Sequence, residues 1–151
     1  ICPSSGISED RLVNVDYKDR SNIKVMLADD SALIRRLLKD TLTKAGFRNL
    51  RIFDDGQQAL DYLTELKAKK GENFREDVQL LITDIEMPRM DGLTLTRKIK
   101  EDPILQKLPV IVFSSLITDE LRHKGESVGA NAQLSKPEVE GLVKTIDNLL
   151  S

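Results

Sequence analysis

Tryptophan is missing from this chain of 151 residues, and cysteine and histidine occur once each, as Cys2 and His123. A single thiol cannot close an internal disulfide, so no disulfide framework holds the fold and a reducing, cytoplasmic setting is expected. His123 has no cysteine or histidine companions, which sets aside metal ligation and leaves a partly exposed helix position. An excess of one charge is also missing. Lys plus Arg number 23 and Asp plus Glu 25, a net charge of −2. That balance excludes a strong sequence-independent grip on nucleic acid or on an anionic membrane. No apolar run approaches the roughly 18 residues of a membrane span. No signal peptide is visible, so direct membrane insertion is not expected. No G-x-G-x-x-G follows the first apolar run, which disfavours a dinucleotide-binding enzyme.

What remains is ordinary for a soluble globular chain: 40% hydrophobic and 32% charged residues. The length fits one domain, enough to bury about 70% of its unfolded surface. Residues 1–22 are polar, rich in Pro, Gly and Ser at the start, and without a sustained period, so they read as a leader or interdomain linker. The chain opens on Ile1 rather than Met, which reads as a piece of something longer.

Residues 23–151 form the predicted domain. Apolar runs at 23–28, 50–53, 78–83, 110–114 and 132–135 predict strands. Helical periods at 31–46, 57–71, 92–102, 119–130 and 138–150 alternate with them. Ile34, Leu37, Leu38, Leu42 and Ala45 share one helical face, and Gly46 stands where a C-terminal cap glycine belongs. Val139, Leu142, Val143, Ile146 and Leu150 form the stripe of the last helix. Strands that are apolar along their whole length are buried on both faces. Five strand–helix pairs in strict alternation predict a three-layer α/β fold, a parallel sheet with right-handed crossovers and helices on both sides. The segment at 67–77 reads as a long loop or a partner surface. Met26, Met87 and Met90 read as packing residues.

In an open parallel sheet, ligands bind beyond the carboxyl ends of the strands. Asp29 and Asp30 follow the first strand, Asp84 the third, Ser114 and Ser115 the fourth, and Lys136 and Pro137 the fifth. Asp54 and Asp55 follow the second, which is predicted at an edge. An acid after a strand often caps the next helix, and a lone serine or lysine carries no signal. The joint arrangement is what is specific. Three converging carboxylates repel one another unless a hard divalent cation sits among them, and oxygen donors suit Mg²⁺. One carboxylate can then act as nucleophile toward a phosphoryl group. A hydroxyl and a lysine ammonium can each bond a phosphoryl oxygen.

At "LADDS", "DIEMPRMDG", "VIVFSS" and "LSKP" the chain resembles the CheY-like receiver domains of two-component response regulators, over about Ile23 to Leu150. The resemblance implies a flavodoxin-like (βα)5 fold with strand order 2-1-3-4-5. It implies that Asp84 accepts a phosphoryl group from a histidine kinase. Asp30 would bind Mg²⁺ directly, Asp29 largely through water, and Glu86 through its backbone carbonyl. Ser114 and Lys136 would contact phosphoryl oxygens, and the Lys136–Pro137 bond would be cis. The conformational switch would lie in the loop after the fourth strand and on the face of the fourth helix, fifth strand and fifth helix. Such a module catalyses only its own phosphorylation and dephosphorylation; it is not an enzyme with a free substrate. The leader, "EMPRMDGLTLTRKIKEDP" and "SVGANAQLSKPE" further resemble the C-terminal receiver of CheV-type chemotaxis coupling proteins. In these an N-terminal CheW-like domain docks on the chemoreceptor array and a CheA-like kinase.

Two departures stand out. Gln133 occupies the place of the usual switching Tyr or Phe, and Glu138 that of a Phe after "KP". Glu86 adds an acid beside the expected phosphoryl position. Two other functions fit less well. A haloacid-dehalogenase-type phosphohydrolase also uses a nucleophilic Asp, but here "DIEMP" offers Glu86 for the second Asp and the tandem acids lie upstream. A phosphorylation-independent docking domain leaves the acid, hydroxyl and lysine set unexplained.

Overall fold

Uninterrupted apolar sequence and burial on both faces coincide in the middle of the sheet. In the computed structural model, which describes residues 22–114, 118–135 and 139–150, strands β1 (Lys24–Ala28), β3 (Leu80–Thr83) and β4 (Val110–Ser114) are buried almost throughout. The flanking strands β2 (Asn49–Phe53) and β5 (Ala132–Ser135) are partly exposed. All pair in parallel, in the order β2-β1-β3-β4-β5. The predicted order is therefore observed.

Helices α1 (Ala32–Lys44), α2 (Gly56–Lys70), α3 (Gly92–Glu101), α4 (Asp119–Ser127) and α5 (Val139–Leu150) fill the crossovers. Side chains alternate across the pleat, so each strand feeds two cores. Val25, Leu27, Leu80 and Ile82 pack with Leu38 and Leu42 of α1 and Leu142 and Ile146 of α5. Met26, Ala28 and Leu81 turn the other way, onto Leu63 of α2 and Leu95 and Ile99 of α3. Each such buried leucine or isoleucine contributes about 1.5–3 kcal/mol relative to exposure.

Helix ends follow the sequence chemistry. Ser31 caps α1 by accepting the Ile34 N–H at 3.3 Å. Gly46, at φ 103°, closes it. Its N–H donates to the Thr43 carbonyl at 3.1 Å and the Phe47 N–H to the Leu42 carbonyl at 2.9 Å. That pair of bonds needs a left-handed residue, which glycine adopts without a Cβ penalty. Helix α4 ends at Ser127 rather than at residue 130, because Gly129 at φ 92° terminates it in the same way.

The 67–77 segment is not a loop. Helix α2 continues to Lys70, and a 3-10 turn spans Gly71–Glu76. The turn inserts Phe74, fully buried, among Leu63, Leu66 and Val78 of the second core. One aromatic in a polar run carries no period, so its burial was invisible to pattern reading. The leader at 1–22 lies outside the described residues except for Asn22. Ser115, Lys136, Pro137 and Glu138 lie outside them as well, and with them the expected cis bond.

Candidate functional site

Parallel register builds the site. Ala28 pairs with Thr83, so the residues that follow them, Asp29 and Asp84, leave adjacent strands at the same level. The Asp84 N–H donates to the Ala28 carbonyl at 2.9 Å and extends that ladder. Asp30 follows one residue on. Carboxylate oxygens of Asp29, Asp30 and Asp84 all lie within 4.8 Å of one another. Asp29 and Asp84 are buried, 2% and 8% exposed, and Asp30 is exposed.

Local hydrogen bonds orient these carboxylates. Asp29 Oδ1 accepts the Ser31 N–H at 2.8 Å, a short turn that starts α1. The Arg35 guanidinium donates to the Asp29 carbonyl at 2.7 Å. Asp84 Oδ1 accepts the Ile85 N–H at 2.8 Å, and the Thr83 hydroxyl donates to the Asp84 carbonyl at 2.9 Å. The chain then loops out and returns: the Gly92 N–H donates to the Ile85 carbonyl at 2.7 Å. A β-carbon at Gly92 would collide with the Asp84 carbonyl oxygen, so only glycine fits there. Asp91 caps α3 by accepting the Thr94 N–H at 2.7 Å.

Three carboxylates in so small a volume are a set of hard oxygen donors, the chemistry that Mg²⁺ selects. The donor set therefore fits that ion. Ser114 closes β4, is 4% exposed, and stands one residue beyond the level of Asp84 on the neighbouring strand. Lys136 lies outside the described residues; Ser135, just before it, pairs with Ser114. Glu86 is exposed on the loop two residues past Asp84. A cleft of about 400 Å³ opens at the other end of the strands, among Lys24, Arg48, Arg51, Tyr62 and Asp77, and takes no part in this constellation.

Two residues acquire tertiary partners that the sequence did not signal. Asp55 caps α2 by accepting the Gln58 N–H at 2.8 Å and pairs with Arg89 of the loop after β3. Burial alone would raise its carboxyl pKa, but the Gln58 amide and the Arg89 side chain outweigh that and hold it below its usual value. The second is Gln133. Its Nε2 donates to the Arg122 carbonyl of α4 at 3.0 Å, and its amide fills the space that a side chain at residue 125 would take. A β5-to-α4 tie stands at the position whose departure from a switching Tyr or Phe was already read in the sequence.

Comparison with known proteins agrees with this geometry. The family described as response regulator receiver domain matches residues 25–147. The chain is 34% identical over 134 residues to the chemotaxis protein CheV3 of Helicobacter pylori, covering 89% of this chain and 43% of that relative. It thus spans less than half of that relative's length. To the chemotaxis protein CheY-3 of Vibrio cholerae it is 34% identical over 116 residues, 77% of this chain and 82% of the relative. The solved structure of Vibrio cholerae CheY4 superposes with a TM-score of 0.69 at 28% identity, over 83% of this chain and 97% of that one. Fold, acidic rim and family match converge: the chain belongs to the response regulator receiver domains, the phosphorylation-controlled modules of two-component signalling.

Proposed function

We propose that Asp84 is the phosphoacceptor of this receiver and that the chain is the C-terminal receiver, residues 23–151, of a CheV-type coupling protein. The observation that carries the assignment is the approach of the Asp29, Asp30 and Asp84 carboxylates within 4.8 Å at one rim of the sheet. The likeness to CheV3 supports the narrower identity.

In the proposed reaction a carboxylate oxygen of Asp84 attacks the phosphorus of a phosphohistidine. An O–P bond forms, the N–P bond breaks, and the imidazole nitrogen recovers a proton from solvent. Asp29, Asp30, Asp84 and the Glu86 backbone carbonyl would hold Mg²⁺, which offsets charge on the phosphoryl oxygens. The Ile85 N–H keeps the Asp84 carboxylate oriented as nucleophile. Ser114 donates its hydroxyl to one phosphoryl oxygen and Lys136 its ammonium to another. Hydrolysis of the acyl phosphate by water resets the module. Asp30 and Glu86 are exposed, so the rim is open to a partner that presents the phosphoryl group. The partners that fit are a CheA-like histidine kinase and, through an N-terminal CheW-like domain and the 1–22 linker, a chemoreceptor array.

Incubation with Mg²⁺ and a labelled phosphohistidine kinase tests this reading. Wild type takes up alkali-labile label, and Asp84→Asn takes up none. Equal labelling of the two proteins would overturn the assignment.

A further inference from the structure

Among the described residues, Arg89 is the one non-glycine residue with a positive φ, at 66°. The Met90 N–H donates to the Pro88 carbonyl at 2.7 Å, across Arg89. A three-residue turn with a left-handed centre is the rare form, disfavoured for any residue with a β-carbon. Such a conformation persists only where its surroundings over-determine it.

Those surroundings are present. Arg89 Nε donates to Asp55 Oδ2 at 3.1 Å, and Nη2 donates to the same oxygen. Asp55 Oδ1 is held by the Gln58 N–H, so the acceptor is anchored to the first turn of α2. The Asp55 side chain is 6% exposed, which keeps the pair from being a fully solvated surface contact. Beside it, a β-carbon at Gly56 would collide with the Met90 carbonyl, so α2 and the loop touch backbone to backbone. The loop at 85–91 is therefore pinned twice: by Gly92 on Ile85 at its base, and by Arg89 on Asp55 at its far side. Glu86 lies between the pins.

We propose that Arg89 is a positioning residue: its ion pair with Asp55 holds loop 85–91 in the form that presents the Glu86 carbonyl to the metal. Metal affinity then depends on a pair that contacts neither the metal nor the phosphoryl group. Outer residues that orient metal ligands commonly carry such leverage. The inference rests on the assignment of the acidic rim as the Mg²⁺ site.

Two substitutions separate positioning from simple stapling. Asp55→Asn keeps an Oδ1 acceptor for Gln58 and replaces the Arg89 acceptor by an amide donor. Arg89→Gly removes the pair and adopts φ 66° without strain. Mg²⁺ titration of the intact chain, followed by the amide resonances of Ile85 and Gly92, gives the affinity. Hydrogen exchange at Met90 in metal-free protein reports the turn itself. Each variant is expected to weaken Mg²⁺ binding about tenfold and to speed Met90 exchange. The double variant binds no more weakly than either single one, because the pair acts as a unit. Arg89→Lys, with charge but no planar fork, falls between. Unchanged Mg²⁺ affinity in Arg89→Gly, with only a lower unfolding midpoint, would falsify the positioning role. Failure of wild type to bind Mg²⁺ would instead overturn the metal assignment and this inference together.

Discussion

Single residues decide the shape of the acidic rim. Gly92 is the sharpest case, because its missing side chain is what lets α3 begin against the Asp84 carbonyl. Gly92→Ala must push that backbone aside, so urea unfolding should register a loss of about 1–3 kcal/mol, with weaker Mg²⁺ binding alongside. Stability unchanged from wild type would contradict the close approach. Glu86 acts in solvent rather than in packing. On the proposed assignment of Asp84, an exposed carboxylate two residues further on would orient the attacking water, though less effectively than a fixed base. Glu86→Ala should still accept phosphoryl label, and its label should decay about three- to tenfold more slowly; an unaltered decay rate would remove Glu86 from the account. The positions of Asp29, Asp30, Asp84 and Ser114 at the rim were legible because each stands at or just past the end of an apolar strand. Arg89 was not: a left-handed arginine in "MPRMDG" arises from tertiary pinning, which no local propensity announces.

At the scale of elements, alternation of apolar runs and helical periods revealed the five strands and five α-helices, most plainly the three central strands, because strands buried on both faces leave no polar gaps. Gly71 does close α2, as the helical period suggested, but the residues after it form a 3-10 turn where a loop was expected, because Phe74 looked isolated. Tertiary contact makes that stretch helical, and an ion pair extends the joint. Lys67 near the end of α2 donates to Asp102 at 2.6 Å, and Asp102 also accepts the Ile104 and Leu105 N–H groups at 2.8 and 3.0 Å after α3. Burial acts to raise the Asp102 pKa, but the Lys67 hydrogen bond and the two amides prevail and hold it below 3.8. A carboxyl lowered in the folded state stabilises above its unfolded pKa, and that contribution disappears as pH falls through the folded one. Asp102→Asn keeps the amide acceptor and loses the ion pair. Wild type should therefore be the more stable protein near neutrality, and the gap should close below about pH 4. A gap that persisted in acid would show that packing, not charge, distinguishes the two proteins.

Taken as a whole molecule, the chain uses its sheet as a ruler: equal register on adjacent strands converts distant acids into neighbours. Among the described residues no helix is long and apolar enough to cross a membrane. The strand order was legible only through family resemblance, because alternation alone permits several parallel orders. The Gln133 tie to α4 was half legible. The missing ring could be read from the sequence, but the hydrogen bond that replaces it depends on how α4 lies against β5. The central claim is that Asp84 alone carries the phosphoryl group. Phosphorylation with a small phosphodonor and Mg²⁺, borohydride reduction of the acyl phosphate and peptide mass spectrometry test it most directly. Homoserine is expected in place of Asp84 and at no other acid. Reduction at Asp29, Asp30, Asp55 or Glu86, with Asp84 intact, would contradict it.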